Sequence, residues 1–276
     1  MGKLMTEEEF NRIYRFLKSR YGIDMLRKKE IMQGRLENYV QANGFSNYYE
    51  YMNAVELDYT GKLERELVNI LTTNHTFFMR EMEHFEFLER VVLPELRVKE
   101  ERRRDLCIWC GAASTGQEPY MLAMQLKDFF GLEHAKWDTK VLATDVSTQV
   151  LEHAVRGIYE AAQVEVLPEH WKRRYLRPLQ GGEQYEVSEE IKNEVLFRQF
   201  NLMDVFPFKR KMHIVFLRNV MIYFDKETKR QLMQKVYDCM EPGGYLFIGQ
   251  TETIDREQVP FELIRPSIFR KTGGKA

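Results

Sequence analysis

Ile108-Trp-Cys-Gly-Ala-Ala-Ser-Thr-Gly-Gln-Glu-Pro-Tyr120 runs from an apolar strand pattern through a string of small residues into a helical pattern. Small residues at a strand-to-helix turn let the backbone approach a ligand closely, and the helix N-terminus supplies unpaired N–H groups. Gly111 and Gly116 match the outer glycines of a phosphate-binding loop, but Gln117 and Glu118 stand where that loop needs Lys and Ser or Thr. A nucleoside triphosphate is disfavoured. A pyrophosphate is disfavoured too, because Glu118 places an anion in the first helical turn. A cationic sulfonium ligand meets no such conflict, although Glu118 would also complement the helix dipole with no ligand present.

Downstream, Leu122, Leu126, Phe129 and Phe130 share one helical face, and Gly131 marks its stop. The next apolar run ends in Ala143-Thr-Asp145. An acidic side chain there suits the two hydroxyls of a ribose, and it equally suits helping to cap the helix that begins near Ser147. Strands are expected at 105–110, 140–144, 195–200, 213–217 and 245–249, alternating with helical stretches as in a parallel sheet covered by helices. Arg174 to Leu179 and Gln184 to Val187 flank Gly181-Gly182 as a small inserted hairpin. Phe261 to Arg265 and Ser267 to Lys271 form a second pair about Pro266.

Upstream of the turn the texture is helical. Phe10, Ile13, Tyr14 and Leu17 recur at helical spacing, as do Ile31, Met32, Leu36 and Tyr39. Residues 1–96 therefore read as an all-helical N-terminal domain, and the charged run at 97–104 as a solvated linker. Residues 105–276 read as an α/β domain with a small β subdomain inserted at about 168–195.

The 276 residues carry 41 basic and 42 acidic side chains, a formal net charge of -1. That balance disfavours general nucleic-acid affinity, even at the Trp171-Lys-Arg-Arg-Tyr175 patch. No apolar run nears the roughly 18 residues of a membrane span, so no membrane insertion is expected. The acidic, polar start and the odd count of three cysteines point to a reduced, cytoplasmic protein. Cys107 and Cys110 have metal-site spacing, yet residues three apart on a strand face opposite ways, so no metal is expected.

Five blocks now stand in order: TTNHTFFMRE (72–81), WCGAASTGQEPY (109–120), ATDVSTQVLEHAVRGIY (143–159), FLRNVMIYFD (216–225) and MEPGGYLFIGQTE (240–252). Together they resemble the chemotaxis receptor glutamate methyltransferases, the CheR family. The resemblance implies a class I S-adenosylmethionine-dependent methyltransferase fold, Rossmann-like with a C-terminal antiparallel hairpin, behind an all-α N-terminal domain. It implies S-adenosylmethionine as cofactor and S-adenosylhomocysteine as product. Carried over by motif, Asn74, Thr76, Arg80 and Glu118 would contact the cofactor, Asp145 its ribose and Asn201 and Leu202 its adenine. Arg218 and Asn219 would complete the site, with Arg80 and Tyr223 near the transferred methyl. Gln117 stands where the family more usually has Glu.

The chemistry fits those residue types. A glutamate acceptor, with a pKa of about 4.3, is ionised at neutral pH and needs no general base. The implied partners are the cytoplasmic helices of membrane chemoreceptors, which Arg27, Lys28, Lys29 and Arg35 are expected to meet from one N-terminal helix; oligomeric state is left open. Three other readings remain: a nicotinamide-dependent oxidoreductase, a small-molecule methyltransferase, and a non-catalytic module that senses S-adenosylmethionine.

Overall fold

The computed structural model describes residues 4–273. Four helices form the first layer: α1 (Glu7–Tyr21), α2 (Lys29–Ala42), α3 (Tyr48–Leu57) and α4 (Lys62–Leu71). Thr6 caps α1 through a reciprocal box, its side chain accepting from the Glu9 N–H while Glu9 accepts from the Thr6 N–H. Phe10, Ile13 and Leu17 of α1 are buried with Met32, Leu36, Tyr51, Met52 and Leu67 in one core. Each such aliphatic or aromatic side chain contributes roughly 1.5–3 kcal/mol through burial. Ile31, expected on the apolar face of α2, is 49% exposed instead, because Met32 takes the inward position.

The chain then enters α5 (Glu83–Phe87), one π turn at Leu88–Val92, and α6 (Leu93–Lys99). These elements do not belong to the first core. Phe78, Phe85, Leu88, Val92, Leu93 and Leu96 pack with the sheet residues Ile108, Val141, Ile214 and Phe216. The run at 97–104 is correspondingly the last turn of α6 followed by a tight turn, and it sits within the second packing unit. The expected linker differs because charge alone marks an exposed helix end as readily as a connection.

Seven strands build the main sheet: β1 (Ile108–Gly111), β2 (Val141–Asp145), β6 (Val195–Gln199), β7 (Met212–Leu217), β8 (Met240–Ile248), β9 (Phe261–Arg265) and β10 (Ile268–Lys271). Their spatial order is β6-β2-β1-β7-β8-β10-β9. β6, β2, β1, β7 and β8 run parallel, while β10 is antiparallel to both β8 and β9. The all-buried texture of β1 and β7 follows from helices on both faces, chiefly α7 (Gln117–Phe130), α8 (Thr148–Arg156) and α12 (Lys226–Cys239). Cys110 joins the core on one face of the sheet and Cys107 packs against the other, as their spacing requires.

The inserted sheet has three strands, not two. β3 (Ile158–Glu160) pairs with β5 (Gln184–Val187), which pairs with β4 (Leu176–Leu179), all antiparallel; α9 (Ala161–Val164) and α10 (Glu169–Tyr175) connect them. The insertion thus draws in residues ahead of the expected start at 168. Three residues in Arg156-Gly-Ile-Tyr-Glu160 are too short a run to show alternation, so only pairing reveals the strand. A short α11 (Glu189–Lys192) leads back to β6.

Tertiary contacts seat the helical layer over the C-terminal edge of the main sheet. Lys18 pairs with Asp225 at 2.5 Å, the Asp24 N–H donates to the Tyr223 carbonyl at 2.8 Å, and Ser147 Oγ donates to Asn69 at 2.8 Å. Burial and exposure of the basic N-terminal residues correct the expected docking helix. Arg27 and Lys28 precede α2, Lys29 pairs with Glu7, and Arg35 donates to the Leu71 and Thr72 carbonyls and to Thr73.

Candidate active site

Strand order reverses between β1 and β7, and the space beyond their C-terminal ends is where such sheets bind ligands. A cleft of about 1010 Å³, part of it open to solvent, lies there. The segment after α4 supplies Asn74, Thr76 and Arg80; the turn after β1 supplies Ala112 and Ser114, and the first turn of α7 Glu118; and β2 ends in Asp145. Asn201 and Leu202 come from the loop after β6, with Arg218, Asn219 and Tyr223 from the loop after β7. All ten residues singled out from the sequence line this one cleft. Tyr21 and Ile23 from the helical layer and Phe200 line it as well, unforeseen because helical periodicity does not say which residues at a helix end will meet a distant sheet.

The turn after β1 reaches the cleft through its non-glycine residues. Ala112 (φ 57°) and Ser114 (φ 49°) hold left-handed backbone, a conformation that costs of the order of 1 kcal/mol for such residues. The two glycines have a different task from the one expected. A Cβ on Gly111 would lie 2.8 Å from Leu217, and one on Gly116 (φ 96°) would lie 2.9 Å from Ala154 and 3.0 Å from the Tyr159 hydroxyl. Gly111 makes room for the Leu217 side chain of the neighbouring strand and Gly116 lets the start of α7 approach α8, and the cleft-facing wall is Ala112 and Ser114.

Asp145 is buried, lines the cleft and braces the start of the next helix. Its Oδ2 accepts from the Ser114 N–H and its Oδ1 from the Ser147 N–H, each at 2.9 Å. Ser147 itself caps α8. A carboxylate has about four acceptor sites, so both oxygens keep capacity toward the cleft. Burial raises this group above the usual carboxylate range, opposed by the backbone N–H donors of Ser147, Ser114 and Val146.

Glu118 sits between a thiol and a guanidinium. Cys110 Sγ donates to its Oε1 at 3.1 Å, and Arg218 Nη1 donates to its Oε2. Burial, then the neighbouring Glu118, pushes the Cys110 thiol well up, so it stays a neutral donor. Arg218 also donates to the Arg80 carbonyl at 2.7 Å and pairs with Glu81 at 3.2 Å. Arg80, partly exposed, donates to the His75 carbonyl at 3.0 Å and lies 5.5 Å from the Phe77 ring. Tyr223 reaches the Thr73 carbonyl at 3.4 Å, with Lys28 over its ring at 5.7 Å.

Two carboxylates behind the lining, Glu81 partly exposed and Glu252 buried, escaped the sequence reading. Glu81 (φ 52°) accepts from Asn219 Nδ2 at 3.2 Å and from the Gln250 N–H at 3.3 Å. Glu252 accepts three backbone N–H groups, from Asn219, Met221 and Gly249, at 2.7 to 2.9 Å. The only signal either gave was its place in a quoted block, since a glutamate that props a loop cannot be told from a solvated one without coordinates.

Comparison with known proteins decides the family. Residues 74–269 match the model described as CheR methyltransferase, SAM binding domain, and residues 8–72 match CheR methyltransferase, all-alpha domain. The chain belongs to the CheR methyltransferase family. A chemotaxis protein methyltransferase of Borreliella burgdorferi is 37% identical over 97% of this chain and 95% of its own length. The chemotaxis protein methyltransferases of Escherichia coli K12 and Salmonella typhimurium are 32% and 31% identical, over 96% and 99% of this chain and 91% and 93% of their own.

As a CheR methyltransferase the chain has a Rossmann-like domain behind an all-α domain, takes S-adenosylmethionine as cofactor and transfers its methyl group in chemotaxis. The cleft fits that cofactor on its own terms. It offers acceptor capacity on Asp145, apolar wall from Ile23, Phe200 and Leu202, and carboxylates near its turn, all suited to a molecule that is part nucleoside and part cation. Among the described residues no helix is long and apolar enough to cross a membrane.

Proposed function

We propose that this CheR methyltransferase esterifies glutamate side chains on the cytoplasmic helices of chemoreceptors, working in the cytoplasm with its cofactor seated in the cleft between β1, β2 and β7. One observation carries the reading: Asp145 and Glu118 line the same cleft as Arg80 and Tyr223, the latter two both partly exposed. Bound there, S-adenosylmethionine would supply an electrophilic methyl group on a sulfonium, open to attack at carbon by a carboxylate oxygen from the rear, the new O–C bond forming as the C–S bond breaks and a neutral thioether leaves.

The residues then divide by chemistry. Asp145 would accept from the ribose hydroxyls, while Asn201 and Leu202 would flank the adenine. Asn74, Thr76, Glu118, Arg218 and Asn219 would hold the amino-acid end. Arg80 is the group suited to orient an acceptor carboxylate, since a guanidinium fork matches two oxygens. Its grip must position without over-stabilising the ground state, because attack discharges the carboxylate. Tyr223, beside Arg80 at the opening, would shape the approach and exclude water. An already ionised acceptor makes a base unnecessary, so His75, whose ring lies 5.7 Å from that of Phe77, has no proton to take.

Of the basic residues once grouped on α2, Arg27 is exposed and Lys28 lies over Tyr223, which leaves these two beside the opening to meet an acidic receptor helix. The test is incubation of the full chain with labelled S-adenosylmethionine and receptor-containing membranes, followed by mass mapping. Base-labile methyl esters on receptor glutamates are expected. Label confined to small molecules, or no label with the cofactor bound, would overturn the reading.

A further inference from the structure

Between α4 and α5, the run Thr76-Phe-Phe-Met-Arg80 places two neighbouring phenylalanines in opposite surroundings. Phe78 is 1% exposed and meets Tyr159 edge-on at 4.9 Å, which anchors the segment to the core of the sheet. Phe77 is 49% exposed. Its ring meets two residues that line the cleft: the His75 ring at 5.7 Å, and Arg80, whose guanidinium carbon lies over the ring 5.5 Å from its centroid. The backbone here is well held. Met79 (φ 66°) and Glu81 (φ 52°) keep left-handed conformations, the Met79 N–H donates to Met121 Sδ at 3.0 Å, and the Arg80 carbonyl accepts from Arg218 Nη2 at 2.7 Å.

What the backbone leaves open is the Arg80 side chain, whose long stem loses much rotamer freedom when its guanidinium is kept in one place. Its one hydrogen bond runs from Nη1 to the carbonyl of His75, an exposed residue where water competes for the acceptor. Nε stands 3.9 Å from Glu81 Oε1, outside hydrogen-bond reach, and Nη2 makes no hydrogen bond among the described residues. The Phe77 ring is the remaining support. It attracts the cation through its face and uses none of the N–H groups, so the guanidinium keeps donors for the two oxygens of a carboxylate.

We propose that Phe77 is a positioning residue for the methyl transfer: its ring holds the Arg80 guanidinium in the orientation that presents an acceptor carboxylate to the methyl group. Phe77 does not itself line the cleft, so it acts through Arg80 and not on the reacting groups. That role accounts for a half-exposed aromatic side chain beside the cleft, since apolar surface left in water adds nothing to folding. The inference rests on the part given to Arg80 in esterifying receptor glutamates.

The experiment is methylation of receptor-containing membranes by the full chain with labelled S-adenosylmethionine, alongside calorimetry of cofactor binding. It compares wild type, Phe77→Leu, Phe77→Trp, Arg80→Ala and the double variant Phe77→Leu with Arg80→Ala. Phe77→Leu keeps apolar bulk and removes the aromatic face. Its kcat should fall roughly two- to fivefold, the loss of one exposed cation–π contact, with cofactor affinity unchanged. Phe77→Trp offers the stronger ring and should keep the wild-type kcat. In the Arg80→Ala background, Phe77→Leu should cost nothing further, the non-additivity expected of a residue that acts through another. A wild-type kcat in Phe77→Leu, an equal loss in Phe77→Trp, or a further loss in the double variant would overturn the proposal. So would an effect confined to receptor KM or to cofactor affinity, which would mean that Phe77 meets one of those molecules directly. No receptor methylation by the wild type would refute the receptor reading itself, and the proposal with it.

Discussion

The carboxylate of Glu252 accepts the backbone N–H of Asn219 at 2.9 Å, and its other oxygen accepts that of Met221 at 2.7 Å. Asn219 holds left-handed backbone (φ 58°) directly after Arg218, at the wall of the cleft. A buried side chain from the loop after β8 thus fixes a strained turn in the loop after β7. Buried N–H groups that lose an acceptor cost about 1–3 kcal/mol each.

Glu252→Gln should therefore destabilise the fold by about 2 kcal/mol, because an amide NH₂ would face one of three N–H donors. Affinity for S-adenosylmethionine should fall with it, as the Asn219 turn loosens. Chemical denaturation alongside calorimetry checks both; a variant with wild-type stability would show that the turn holds itself.

Asp145→Ala should weaken S-adenosylmethionine binding roughly 10–100-fold, the loss of one or two charge-assisted hydrogen bonds. It would also strand the Ser114 and Ser147 N–H groups. Asp145→Asn separates the two effects, keeping one acceptor for the backbone while losing the anion. Binding of adenosine alone to each variant reads the ribose contact, and an unchanged adenosine affinity would remove Asp145 from that role.

Arg80→Ala should leave the fold intact, since the side chain is partly exposed and donates to a single carbonyl. Turnover on receptor should drop on the order of 100-fold through loss of orientation. Lysine should rescue only in part, having no planar fork. Rates at the wild-type level in Arg80→Ala would exclude it from the reaction.

His84 sets a pH dependence of stability. Its imidazole is driven down to about 4 by burial and then by the Arg218 charge, and its Nε2 lies 2.6 Å from Ser267 Oγ. An unfolded histidine titrates near pH 6.5, so as pH falls the unfolded chain takes the proton first. The contribution is complete above about pH 6.5 and lost progressively as pH falls toward 4, about 3 kcal/mol in all. His84→Gln should flatten the denaturation free energy across that window relative to wild type; parallel curves would mean that His84 does not titrate on unfolding.

Much of the site was legible in the five sequence blocks because it is built from segments that are local in the chain. Ala112 to Glu118 form one strand-to-helix turn, and Asp145 ends the next strand, so periodicity and turn chemistry placed both at one edge of a parallel sheet. Asn74, Asn201 and Tyr223 gained meaning from the resemblance, and the cleft brings them together. Spacing misled where function depends on partners. Gly111 and Gly116 looked ligand-facing but are packed against Leu217 and Ala154, and Arg35 looked free but ties down the Leu71 and Thr72 carbonyls and the Thr73 hydroxyl.

By itself the sequence determined the alternation of strands and helices, the all-α beginning and the family, because each is written in local periodicity or in ordered runs of residue types. Only the tertiary structure decided that Phe78 to Leu96 belong to the sheet's core, that Ile158–Glu160 completes a three-stranded insertion, and that Glu81 and Glu252 stand behind the cleft. The reason is physical: pairing and charge sharing join residues far apart in the chain, among them Glu81 and Arg218, and a lone carboxylate in a sequence does not reveal which N–H or guanidinium will face it.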